Sequence, residues 1–221
     1  RVDKDSISKK NALVEILDKV HRQEIDILVG TQMLAKGHDF PNLTLVGVID
    51  ADSALHSPDF RASERLFAQL MQVAGRAGRA DKTGQVIIQT QFPEHVLFNA
   101  LRRQDYASYA NALLHERQQM QFPPYIFMAL LRAEANDFNL VHQFLSYAFK
   151  VARDLNTKVV VYDPIRPKME RLKGMERGYV LMQAGNRGVL QKLLNRLVAQ
   201  LRGHTASAKV RWAIDVDPLE F

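Results

Sequence analysis

Two consecutive prolines, Pro123 and Pro124, held between Gln121-Phe122 and Tyr125, most constrain what this chain can fold into. Each removes a backbone donor and pushes the residue before it out of the helical region, so helix formation stops there and a new domain is expected to start at 122. Charge divides at the same place. Residues 1–121 carry 15 Lys/Arg against 15 Asp/Glu, whereas residues 122–221 carry 15 against 9, so the whole net charge of +6 falls in the second half. That half is the one suited to a polyanion.

Before the prolines, periodicity predicts a helix over 8–22, strands over 25–31 and 43–50, a helix over 61–75, a strand over 84–90 and a helix over 94–102. This is an α/β order with a partial parallel sheet. Leu66, Phe67, Leu70, Met71 and Ala74 recur at helical spacing and are read as core. A further helix over 105–121 is expected to act as a connector, giving segments 1–104, 105–121 and 122–221. After the prolines the order is strand 125–134, helix 137–155, strand 158–163, strand 177–184, helix 187–202 and strand 209–217. This β-α-β-β-α-β succession is that of the α+β ferredoxin-like, or split βαβ, fold.

One segment carries chemistry. Gln72-Val-Ala-Gly-Arg-Ala-Gly-Arg79 spaces Arg76 and Arg79 three apart, on one helical face, with Gly75 and Gly78 leaving room for a ligand's close approach. Phosphoryl transfer spreads negative charge over phosphoryl oxygens, and guanidinium groups meet such charge in pairs. The alternative is a helix end terminated by glycine, with arginine on the last carbonyls. Upstream, the apolar run Ile25-Asp-Ile-Leu-Val-Gly30 leads into Thr31-Gln-Met-Leu-Ala-Lys-Gly-His-Asp-Phe-Pro41. A polar loop leaving a strand puts Thr31, Lys36, Gly37 and Asp39 where open α/β sheets bind ligands, although Asp39 before Phe-Pro is also ordinary turn chemistry.

Together these stretches resemble motifs V (Thr31 to Asp39) and VI (Gln72 to Arg79) of superfamily 2 helicases. Within that family the longer match, from Gly30 to Asp52 and from Ser57 to Arg79, is similar to the branch that restarts bacterial DNA replication, and the likeness runs over essentially all of the chain. The resemblance implies a remnant of the second, RecA-like motor lobe followed by a C-terminal domain, in an ATP-dependent 3′ to 5′ DNA helicase that binds stalled or abandoned forks and initiates primosome assembly. It gives Arg79 as the arginine finger, Arg76 as its companion and Gln72 as a contact on the nucleotide side. Gly37 and Asp39 then sit near ribose and γ-phosphate, and Thr31 holds a DNA phosphate. ATP and Mg are expected on the first lobe, because no G-x-x-x-x-G-K-[ST] loop and no acidic D-E-x-[HD] box is present. The chain is therefore expected to be a portion of a longer enzyme, inactive by itself.

No metal is expected in this chain, since the seven histidines stand apart and there is no cysteine. The resemblance places a zinc module upstream of Arg1. Zero cysteines fit a reducing, cytoplasmic location, and no apolar run approaches a membrane span.

Two basic features of the second half suggest partners. Residues 164–178 hold Arg166, Lys168, Arg171, Lys173 and Arg177, with Gly174 and Gly178 read as permitting a flexible hairpin that tracks a DNA backbone; a solvated, charged hairpin is the alternative. Tyr125, Tyr179 and Trp212 are candidates for stacking on bases, against the alternative that they are core. Asn186 is a good cap for the last helix, whose stripe is Leu190, Leu193, Leu194, Leu197 and Leu201. Arg187 then falls at a helix start, where a cation gains nothing from the helix dipole, and is read as awaiting an acidic partner together with Gln191. The resemblance supplies that partner, the acidic C-terminal tail of single-stranded-DNA-binding protein. A chain acting only as a non-enzymatic docking module for that protein and DNA is the competing reading.

Overall fold

In a computed structural model, residues 12–30, 40, 42–57, 59–75, 84–155, 158–167 and 169–219 are described. The chain separates into two compact units, Arg1–Ala112 and Leu113–Phe221.

In the first unit, α1 (Ala12–His21) precedes β1 (Leu45–Val48) and β2 (Gln85–Ile88), which pair in parallel from Leu45↔Gln85 to Val48↔Ile88. Between them run a short α2 (Asp52–Leu55) and α3 (Ala62–Ala74). The core of this unit lies on one side of α3, where Leu66, Phe67 and Leu70 are buried, and the Phe67 ring stacks on Tyr109 at 4.5 Å. Tyr109 belongs to α5 (Tyr106–Gln119), which follows α4 (Val96–Arg103) through Gln104 in the left-handed conformation. The strand expected at 25–31 does not form over Ile25–Val29, and Ile27 and Val29 are 81% and 58% exposed. Within 25–30 only Gly30 takes part in a β-bridge; an apolar β-branched run becomes a strand only where another backbone satisfies its N–H and C=O groups.

The second unit is one antiparallel sheet with two helices on one face. Its elements are β3 (Phe127–Ala135), α6 (Phe138–Asp154), β4 (Val160–Val161), β5 (Arg171–Leu172), β6 (Met175–Ala184), α7 (Arg187–Arg202), a short 3-10 helix (Thr205–Ala208) and β7 (Arg211–Val216). The strand order is β4-β6-β3-β7, with β5 hairpinned onto β6. Side chains alternate across the sheet. Ala129, Leu131, Ala133, Val180 and Met182 face the helices and join Phe144, Leu145, Leu190, Leu193 and Leu197 in the core. Asp137 and Asn186 cap α6 and α7, accepting the N–H groups of Asn139 and Val189.

Two local expectations are corrected. The strand at 158–163 is reduced to Val160–Val161, continued by Tyr162 N to Leu181 O; Pro164 has no N–H to carry the ladder on, and pairing resumes only as the bridge Ile165↔Tyr179. The basic segment is a tight hairpin instead of a loose loop. Arg171 pairs Glu176 and Leu172 pairs Met175 in register, while Lys173 and Gly174 both take positive φ (51° and 82°), the combination a two-residue type I′ turn requires. Gly178 serves no loop, since it lies within β6 beneath α6.

Candidate functional site

In the first unit the chemistry gathers at the carboxyl ends of the parallel strands. Asp50, at positive φ, follows β1 and accepts the N–H of Ser53. Asp52 accepts the N–H of Gln91 at 2.7 Å and the hydroxyl of Thr90, both just beyond β2. The Asp52 carboxylate thus fastens one strand end to the other. The Gln91 N–H first, then the Thr90 hydroxyl, holds its pKa below the ordinary 3.8, so it is a charged fastening at neutral pH. Asp59 accepts Arg61 N at 2.9 Å and forms an ion pair with Arg65, shaping the approach to α3.

Gln72 is exposed near the end of α3, which closes at Gly75 with its N–H on Met71 O. A Cβ at Gly75 would meet only carbonyl oxygens at 3.6 and 3.8 Å, ordinary contacts, so α3 itself does not demand a glycine there. Thr31, Lys36, Gly37, Asp39, Arg76, Gly78, Arg79 and Lys168 lie outside the described residues.

In the second unit most of the predicted cations are already occupied. Arg166 bonds Glu170 at 3.0 Å and lies over the Phe138 ring at 3.4 Å, and Arg171 bonds Glu176 at 3.1 Å. Lys173, at the turn, and Arg177, at the start of the long part of β6, have no ion-pair partner among the described residues. Arg187 begins α7 as expected. It pairs with Asp217 across the end of β7 and lies 5.6 Å from the Phe127 ring, while Gln191 bonds Asn195 at 3.0 Å. Trp212 packs against Phe144 at 5.9 Å on the helix side, and Tyr125 lies outside the strand, so neither shares a stacking platform with Tyr179.

The sheet face turned away from the helices carries a row that the sequence reading missed. Arg177 of β6 and Arg211 of β7 flank Glu134 of β3, and Tyr179 and Ala213 flank Arg132 one pair along. Arg132 bonds Asp215 at 2.9 Å, and Arg211 bonds Glu134 at 3.3 Å. Arg132, Glu134, Arg177, Tyr179, Arg211 and Ala213, with Pro167, line a depression of about 220 Å³. Burial lifts the Tyr179 phenol above its ordinary 10.0, against the opposing pull of the Arg132 guanidinium, so it is neutral at pH 7. The sequence singles out Arg177 and Tyr179 of this row separately; the only trace of the rest is Arg132 and Glu134 alternating within an otherwise apolar strand.

Comparison with known proteins gives the class first. Residues 5–81 match the helicase conserved C-terminal domain, and residues 118–219 match the primosomal protein N C-terminal domain. Over 99% of its length the chain is 40% identical to the replication restart protein PriA of Haemophilus influenzae, covering 30% of that protein. It is 34% identical to that of Bacillus subtilis over 99% of the chain and 27% of the relative. For Synechocystis sp. the figures are 36%, 99% and 26%. The chain belongs to the family of the replication restart protein PriA, and spans about a third or less of the length of these relatives.

Proposed function

We propose that this chain is the C-terminal part of an ATP-dependent helicase of replication restart, with its first unit completing a two-lobed motor and its second engaging DNA and partner proteins. The observation that carries the reading is the succession, within one chain, of a helicase C-terminal domain and a primosomal C-terminal domain, with parallel strand ends fastened by Asp52 just ahead of α3. Polarity of 3′ to 5′, fork binding, primosome assembly and a cytoplasmic location belong to the proposal through family resemblance. Arg79 and Arg76 are assigned to the γ-phosphate of ATP held by the first lobe, with Gly37, Asp39 and the exposed Gln72 on the nucleotide side and Thr31 on a DNA phosphate. Bound ATP and Mg supply the phosphoryl group and the charge that these arginines meet. Zinc is assigned to the region upstream of this chain.

The second unit is read as ferredoxin-like, supported by the order β4-β6-β3-β7 with every pairing antiparallel. Lys173 and Arg177, together with Arg166, Lys168 and Arg171, are assigned to DNA phosphates. Arg187 and Gln191 are assigned to the acidic tail of single-stranded-DNA-binding protein, a partner that has to displace Asp217. The reading of a docking module without enzymatic work is favoured for the second unit alone, which is compact and carries the positive charge.

Arg79→Ala in the complete protein tests the motor assignment. Removing a finger arginine lowers turnover by roughly 10³-fold or more. ATP hydrolysis stimulated by forked DNA is expected to fall by that order while fork affinity holds; undiminished hydrolysis would remove Arg79 from the site.

A further inference from the structure

On the face of the second unit's sheet that looks away from α6 and α7, β3 is covered at one end and open at the other. Met128 and Leu130 lie on this face and are fully buried, whereas the next outward residues along β3, Arg132 and Glu134, border the depression of about 220 Å³. Which side chains look outward follows from Gly178. A Cβ there would strike Leu145 and Val141 of α6, so Gly178 faces the helices and its neighbours Arg177 and Tyr179 face the open side.

The floor of the depression is therefore Tyr179 beside Arg132, and its rim holds Arg177 on one strand and Arg211 two strands away. Adjacent strands lie about 4.8 Å apart, so the rim cations stand roughly 10 Å from each other. Tyr179 is half-buried and lines the depression. A ring recessed between guanidinium groups is inaccessible to the stacked bases of a duplex but meets a base that is already unpaired. The same geometry disfavours a purely electrostatic backbone track, which has no need of an aromatic floor.

We infer that this depression holds an unpaired nucleotide of single-stranded DNA, its base against Tyr179 and its phosphates between Arg177 and Arg211. The inference rests on the proposed DNA-binding role and adds to it a site apart from the hairpin turn at Lys173. The two acids of the row are part of the device. Glu134 on Arg211 and Asp215 on Arg132 hold the guanidinium groups in place and compete with phosphate for them, so the site binds weakly and exchanges quickly. Removing a competing carboxylate has to strengthen binding, the opposite of what breaking an ion pair does in a purely structural network.

The test is binding of a fluorescent oligothymidylate to the whole 221-residue chain over a salt series, with Trp212 fluorescence confirming that each variant is folded. Tyr179→Leu is expected to weaken binding about 5- to 150-fold and Tyr179→Phe to restore it, since a stacked base contributes about 1–3 kcal/mol and needs the ring, not the hydroxyl. Arg177→Ala is expected to lower the slope of log affinity on log salt by about 0.7, one phosphate on a single strand. Glu134→Gln is expected to raise affinity. If Lys173→Ala weakens binding while the Tyr179 and Glu134 variants match the parent, DNA is held by the hairpin alone and the sheet-face site is refuted with the DNA-binding role intact. If the parent chain fails to bind at low salt, the DNA-binding role falls as well. If Tyr179→Leu weakens binding of an acidic peptide but leaves the oligonucleotide unaffected, the depression is a peptide site and the inference is overturned.

Discussion

Gly178→Ala probes the packing that orients the whole sheet face. Gly178 is buried in β6, and a Cβ built on it lies 2.7 Å from Leu145 Cδ1 and 3.1 Å from Val141 Cγ1. Carbon atoms prefer separations of about 3.5–4.0 Å, so α6 must retreat from the sheet by several tenths of an ångström or Leu145 must leave its rotamer. Neither move is easy, because Leu145 and Val141 are 1% and 0% exposed and are enclosed by other core side chains. Overpacking of this kind costs about 1–3 kcal/mol, and the lower entropy of alanine in the unfolded chain returns about 0.4–1 kcal/mol. A net loss of roughly 1–2 kcal/mol corresponds, for a unit of this size, to a fall in Tm of about 5–15 °C. Trp212 is the single tryptophan and packs on Phe144 within this unit, so a thermal melt followed by its fluorescence reports this unit and not the first. Gly185→Ala is the control: a Cβ there meets nothing within 4 Å, and its melt should match or slightly exceed the parent. If Gly178→Ala melts with the control, α6 does not rest on β6 as described, and the outward orientation of Arg177 and Tyr179 loses its support.

Two further predictions concern charge. The pKa of Asp52 is depressed in the folded state, so its stabilisation is fully present above the ordinary 3.8 and is lost as pH falls through the depressed value; Thr90→Val removes one of the two bonds that depress it. Hydrogen exchange at the Gln91 amide in the variant should accelerate at a higher pH than in the parent, and identical profiles would show that the carboxylate does not fasten the strand ends. Asp217→Asn releases Arg187 from its internal partner, so the chain should bind a peptide ending in an acidic tail more tightly than the parent by fluorescence anisotropy. Unchanged or weaker binding would separate Arg187 from the acidic-tail site.

How far the sequence could be read differed with the range of the forces involved. Helix α7 was legible in full, because its cap Asn186 and the stripe from Leu190 to Leu201 are written within sixteen consecutive residues. The apolar run at Ile25–Val29 misled, since β-branched composition reports a wish for burial and not whether a neighbouring strand is there to grant it. The charges of the basic segment were legible but their pairing was not. Arg171 meets Glu176 only because two positive-φ residues set the hairpin register, and Arg187 meets Asp217 only because β7 returns beside β3. The sheet-face row lay furthest from view, as Arg132, Arg177 and Arg211 are separated by dozens of residues and converge only through strand order.

That convergence explains why a unit carrying all the net positive charge pairs so many of its arginines internally. Four carboxylates, Glu134, Glu170, Glu176 and Asp215, each engage one arginine on or beside the proposed DNA path. Exposed pairs of this kind add little to stability, on the order of 0–1 kcal/mol each, so folding alone gives small reason for them. Their effect on a polyanion is larger, because a phosphate that binds any of these four arginines must displace a carboxylate already in place, and the counterions released are correspondingly fewer. Lys173 and Arg177, which have no such partner among the described residues, are then the positions from which contact starts. A surface built this way would capture DNA at few points and release it readily, in keeping with the proposed DNA-binding role. Neutralising Glu134 and Asp215 together should therefore steepen the salt dependence of DNA affinity as well as raise the affinity itself, a pairing of effects that added positive charge at a remote surface would not reproduce.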